Sequence, residues 1–135
     1  MNSYPHNDRI KAILKDNADV VRKDGLNYLI PAWQRFASEY AHIESSLDEW
    51  LNDLDTRMIV ENILNVLPQN ERAKVEEVLK HIDDQVREKT FMINECAWGP
   101  EVEQREGYTR QRHWYYYRVN EKVFANAAGR FTKVD

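Results

Sequence analysis

Up to Lys89 the apolar residues recur at intervals of three and four, and beyond it at intervals closer to two. The first spacing marks one buried face of a helix, the second one face of a strand. Over 8–24 the recurring positions are Ile10, Ile13, Leu14 and Val21. Asn7 or Asp8 can accept from the first free amides there, and Gly25 stands where a left-handed residue would end the helix. A short link, Leu26 to Ile30, leads to Pro31, a residue suited to the first turn of a new helix. The clearest stripe in the chain follows: Trp33, Phe36, Tyr40, Ile43, Leu47, Trp50 and Leu54, a seam of alternating three- and four-residue steps. Ser46-Leu47-Asp48-Glu49 competes with it, because a serine followed three residues later by glutamate starts a helix afresh. The stripe stays in phase across that point and favours one continuous helix from 32 to about 54, bent near Ser45.

Asp55-Thr56 can cap a third helical segment, Arg57 to Val66, which Pro68 ends. Gln69 to Lys89 is a further helix with a narrow apolar stripe of Val75, Val78, Leu79, Ile82 and Val86. Thr90 to Trp98 and His113 to Val119 are then rich in strand formers. A two-residue turn at Glu106-Gly107 would join them as a hairpin. That register sets Glu103 against Arg110, Glu101 against Arg112 and Glu95 against Arg118, three opposite-charge pairs that stabilise a ladder. It puts Met92, Cys96, Trp98, Tyr115, Tyr117 and Val119 on the core face and leaves Trp114 and Tyr116 on the other; a slip of one residue would invert the faces. Gly99-Pro100 implies a bulge or bend in the first strand. After Asn120 the chain forms either a third strand, Lys122 to Ala125, or a short helix, Glu121 to Ala128, capped by Asn120 and closed by Gly129. The expected fold is therefore α+β: an N-terminal bundle of about four helices over 8–89, then an antiparallel hairpin or three-stranded sheet over 90–135, in a single domain spanning 1–135.

Size and composition agree with that picture. A chain of 135 residues suits one domain with a sizeable core. The single cysteine, Cys96, excludes an internal disulfide, and the polar N-terminus has neither the basic nor the apolar region of a signal peptide. No apolar run spans a bilayer. The expectation is a soluble cytoplasmic protein.

Charge adds a sharper feature. The net charge of −4 is carried by the first half, where Glu44, Asp48, Glu49, Asp53 and Asp55 follow one another without a base. Arg105, Arg110, Arg112 and Arg118 lie around a single acid, Glu106. Within that second group Arg110, Arg112, His113, Trp114, Tyr116 and Arg118 interleave cations with aromatics, as stacking platforms for single-stranded nucleic acid do. The acidic chain and the facing glutamates count against this use.

Catalytic chemistry finds no motif. His81 with Asp84 or Glu77 shares a helix face without matching His-Glu-x-x-His, and His42 stands apart. Cys96 faces the core, away from His113 in the proposed register. Asp48 and Glu49, like Asp83 and Asp84, are adjacent and so point to different helix faces. The four glycines are scattered and form no phosphate loop. No metal and no cofactor are expected.

The reading that joins these features is a small acidic, non-catalytic protein-binding protein, in its most concrete form a toxin-neutralising immunity-type inhibitor. Trp114, Tyr116, Arg118, Arg110 and Arg112 would anchor the partner. The acids Glu44, Asp48, Glu49, Asp53 and Asp55 would steer a basic one. The alternatives are a single-stranded nucleic-acid binder using the hairpin and an enzyme whose site is assembled from separate helices. The stripe Trp33, Phe36, Tyr40, Ile43, Leu47, Trp50 and Leu54 serves either as core or as a homodimer seam.

Overall fold

A computed structural model describes residues 25–134; the amphipathic segment expected over 8–24 lies outside them. Gly25 has right-handed helical angles (φ −58°, ψ −43°), not the left-handed ones of a terminator, and helix α1, Leu26–Arg35, follows directly. Pro31 sits inside α1, and not at its start. Its missing N–H deprives the carbonyl four residues earlier of a donor. A π-turn, Phe36–Tyr40, extends α1, and the Ala41 amide reaches back five residues to the Phe36 carbonyl at 2.8 Å.

The helix does not run on to residue 54. At Ser46 the capping box prevails: the Ser46 hydroxyl accepts from the Glu49 amide at 3.1 Å, and the Glu49 carboxylate accepts from the Ser46 amide at 3.4 Å. This reciprocal cap satisfies two amides that a straight helix would have paired internally. Helix α2, Leu47–Leu64, begins there and is unbroken, so Asp55 and Thr56 are interior residues and cap nothing. Helix α3, Gln69–Lys89, has the expected bounds, with Pro68 before it.

The α+β class stands. Helices pack with an antiparallel pair, β1 (Phe91–Met92) and β2 (Arg118–Val119), toward the C-terminal end. The register differs from the expected one: Phe91 faces Val119 and Met92 faces Arg118. An isolated bridge, Ile93 to Lys133, adds the third chain segment. No long hairpin turns at Glu106-Gly107, because Pro100–Glu106 forms helix α4. Pro100 takes the first helical position, which lacks a partner for an N–H in any case. Gly107, at φ +73°, is the left-handed residue that ends α4. The pairs Glu103–Arg110, Glu101–Arg112 and Glu95–Arg118 are not formed. The tail takes its helical alternative: the Asn120 side chain accepts from the Val123 amide at 2.7 Å and starts α5, Glu121–Asn126.

The stripe of the long helical region closes within the chain. Trp33, Phe36, Trp50 and Leu54 are buried in one core, and only Tyr40, Ile43 and Leu47 keep accessible surface. The seam is thus core, and a homodimer through it would have only those three residues to offer. Trp33 stacks on Phe36 with ring centroids 5.1 Å apart, and Phe36 meets Trp50 at 5.2 Å. Beside this aromatic stack one buried carboxylate joins three helices. Asp83 of α3 accepts from the Trp33 indole of α1 at 2.9 Å and from Arg57 of α2 through Nε and Nη2, each at 3.1 Å. Burial, the largest influence, opposes the Arg57 charge, yet the Asp83 carboxylate together with Tyr115 and Glu61 outweighs it and holds the guanidinium above its ordinary pKa. No described helix is long and apolar enough to cross a membrane.

Removing one member of a buried ion pair strands the other. Asp83→Ala should therefore cost about 3–5 kcal/mol in urea unfolding, while Arg57→Met combined with Asp83→Leu should recover most of that loss. A single variant no worse than the double one would show that the pair does not hold these helices.

Candidate functional site

The aromatic run is not a strand presenting alternate faces. His113 ends a turn that begins at Thr109, where the Arg112 amide donates to the Thr109 hydroxyl at 3.2 Å, and Trp114–Tyr117 follows as a 3₁₀ turn. Three rings per turn point in three directions, so period-two reasoning fails here. Tyr115, Tyr116 and Tyr117 are all buried. Tyr116, expected on the outer face, donates its hydroxyl to Asp55 at 2.6 Å. Asp55, expected in the acidic surface, is buried with it. Burial and the neighbouring Asp55 push the Tyr116 hydroxyl well above the ordinary tyrosine range. Tyr117 donates to Glu103 and to the Tyr108 carbonyl.

Arg118 is likewise used inside the fold. It donates to the Thr90 hydroxyl at 2.8 Å, to the Thr90 carbonyl at 2.9 Å and to the Arg87 carbonyl at 3.2 Å. Arg110 lies over the Tyr117 ring at 4.8 Å. Trp114 is half-buried, with the Arg87 guanidinium 3.9 Å above its ring. Of the five expected anchors, Arg112 is exposed and Trp114 partly so; Tyr116 and Arg118 belong to the interior bonding of the fold. The alternation of cations and rings needed for stacking nucleotide bases is not displayed on one surface.

The acidic surface keeps four of its five members. Glu44, Asp48, Glu49 and Asp53 are exposed around the start of α2. Tyr40, Ile43, Glu44, Ser45, Glu49 and Asp53 line a cleft of about 230 Å³. A second, more open concavity shares Glu44, Ser45 and Glu49 with it and extends to Asn126. None of the four acids has an ion-pair partner among the described residues. Partial burial, and then the nearby Glu49 charge, raise the Asp53 carboxyl above its ordinary pKa.

A third concavity, of about 340 Å³, opens between α2, α3 and the segment 111–114. Its floor contains the Arg57–Asp83 pair with Leu64 and Leu79, and its walls carry Glu61, Glu76, Lys80, Arg87, Arg112 and Trp114. Nothing in the sequence pattern alone singled out this cleft. The available signal was Arg57 interrupting the apolar face between Leu54 and Met58, and Asp83 placed directly beside Ile82 on the stripe of α3.

No histidine or cysteine lines any of these three clefts. Burial pushes the Cys96 thiol up to about 11, which keeps it protonated and unreactive. His81 and His42 are exposed, and among the described residues no three His, Cys, Asp or Glu side chains gather as metal ligands would. His113 accepts from the Thr109 amide through Nδ1 at 3.2 Å. Burial first, and then Arg112, lower its pKa, against a weaker opposing pull from Glu61. A neutral ring is therefore built into the turn. The fold holds its stabilising effect above the ordinary histidine pKa of about 6.5 and loses it as pH falls from there through the lowered value. Thermal unfolding followed over that window should show a wild-type midpoint falling faster than that of His113→Phe; parallel curves would remove His113 as the cause. Comparison with protein-family models, with curated proteins and with solved structures finds no match for this chain.

Proposed function

We propose that this chain is a non-catalytic protein-binding protein that receives a basic partner on the acidic face around the Tyr40–Ile43 cleft. One observation carries the reading: Glu44, Glu49 and Asp53 line one cleft with Tyr40 and Ile43, the Glu49 charge acts against that of Asp53, and none of the three acids has an ion-pair partner among the described residues. A lysine or arginine from a partner relieves that repulsion. Tyr40 and Ile43 supply apolar surface for its aliphatic stem, and the carboxylates receive its head. Asp48, outside the cleft, extends the negative field and speeds encounter. A small, acidic chain of this kind suits an inhibitor that occludes a basic surface, and a toxin-neutralising immunity-type protein is the most specific form of that reading. It carries with it a cytoplasmic location, in keeping with one unpaired cysteine.

The test uses the full chain, tagged, against extract of its native host. Glu44→Lys with Asp53→Lys reverses charge without touching the Ser46–Glu49 cap. The wild type should retain a basic protein that raised salt releases, and the double variant should lose it without any fall in melting temperature. Equal retention by both, or retention of an acidic partner, rules the reading out.

The same crowding has a consequence for the free protein. A carboxyl whose folded pKa is raised weakens the fold once ionised, so the penalty is absent below about pH 4 and present at neutral pH. Asp53→Asn should stabilise the free protein by roughly 0.5 kcal/mol at neutral pH after solvent screening, and by nothing at acid pH. Urea titrations at the two pH values read this directly, and a destabilised Asp53→Asn at neutral pH would contradict it.

A further inference from the structure

We infer that the turn from Thr109 to His113 is an acid-sensitive latch, and that protonation of His113 releases the segment 111–114 from the cleft it walls between α2 and α3. Thr109 closes the turn with all three of its polar groups. Its carbonyl accepts from the His113 amide at 2.7 Å and its hydroxyl from the Arg112 amide at 3.2 Å, while its own amide donates to His113 Nδ1 at 3.2 Å. The first two bonds are indifferent to acid. The third needs a bare ring nitrogen, so it exists only while the imidazole is neutral. Once protonated, Nδ1 turns a hydrogen toward the Thr109 N–H, and an attraction becomes a repulsion.

The surroundings offer the charged ring no compensation. It packs against the Tyr108 ring, with centroids 4.9 Å apart, and against the Tyr115 ring at 6.3 Å. The charges that bear on it are Arg112 of its own segment and Glu61 of α2. Arg112 repels a second cation, and Glu61 is already held by Arg57 at 3.2 Å. Water is the open route, because Thr109, Gln111 and Arg112 are exposed. The movement also has limits on both sides. Arg110 lies over the Tyr117 ring at 4.8 Å, and Tyr115 is buried in the core. Between these anchors stand 111–114, and Gln111, Arg112 and Trp114 are the cleft wall. Trp114 is held there by ring contacts, 3.9 Å under the Arg87 guanidinium and edge-on to Tyr115 at 5.6 Å. Its neighbour His113 leaving for water draws the indole off Arg87 and widens the cleft, with the buried tyrosines undisturbed.

NMR of the full chain, followed from about pH 7.5 down to about pH 5, tests this. The Thr109 amide and the Trp114 indole should move together with the His113 ring, at one midpoint below the ordinary histidine value of about 6.5. Exchange of the Thr109 amide with solvent, corrected for its intrinsic pH dependence, should quicken roughly fivefold across that midpoint, as loss of one hydrogen bond implies. His113→Asn keeps a side-chain acceptor near the Nδ1 position and cannot take up a proton, so both signals should stay flat in it. His81→Asn, at an exposed histidine, should titrate as the wild type does. The latch is refuted if Thr109 and Trp114 do not follow the ring, if His113→Asn shows the wild-type titration, or if the ring titrates at or above its ordinary value. Should His113→Asn fail to fold, the three wild-type signals decide alone.

Discussion

One carboxylate, Asp83, decides how α1, α2 and α3 sit together. Its two oxygens accept from an indole on one neighbour and from two guanidinium nitrogens on the other, all within about 3.1 Å. Apolar packing would bring these helices together in many rotations. A buried charge tolerates few, because each alternative leaves an ion or an indole N–H without a partner. The Trp33–Phe36–Trp50 stack then has its depth and rotation set, and the Arg57 guanidinium is left at the floor of the polar cleft. Packing and site geometry come from the same set of bonds.

The C-terminal third is attached by a second set of polar bonds that again run side chain to main chain. The Trp50 indole donates to the Arg118 carbonyl at 3.1 Å, and the Asn120 amide donates to the Ala41 and Ile43 carbonyls at 3.0 and 2.9 Å. These carbonyls lie just past the π-turn and in the break before α2, where the backbone has no helical donor to offer. Asn120 thus caps α5 with its oxygen and stitches the α1–α2 break with its nitrogen. Two strands of two residues each would hold little alone. Here they are held by what the helices donate to them.

What was legible in the chain follows the range over which its causes act. Gln69–Lys89 was readable to the residue, because Pro68 and an uninterrupted amphipathic pattern are local signals. So was the choice at Asn120, as one of two alternatives. The Ser46 capping box was visible too, and was outweighed by a hydrophobic stripe that stayed in phase. That stripe was sound evidence of burial and poor evidence of continuity, since two helices joined by a π-turn and a short break can keep one face inward. The hairpin failed for a different reason. Charge pairs at matching spacing suit a ladder, but the same Glu- and Arg-rich stretch after Gly99-Pro100 suits a short helix equally well. The burial of Tyr116 depended on Asp55, sixty-one residues away in sequence, and no local pattern encodes such a partner. The polar cleft was out of reach for that same reason.

Structural need separates the acids of the α2 start into two kinds. Glu49 closes the capping box, and Asp48 lies in the first turn, where the unpaired amides favour negative charge. Both would be selected in a protein with no partner at all. Asp53 is past that first turn, so the helix end gives it little. Partial burial and Glu49 both act against its charge, and among the described residues no cation compensates it. An asparagine there would suit the isolated fold better. Asp53 thus gains neither a cap nor a cation from the fold, and in the reading proposed above it is the acid, more than the aromatic run with its inward-facing tyrosines, that a basic partner would compensate.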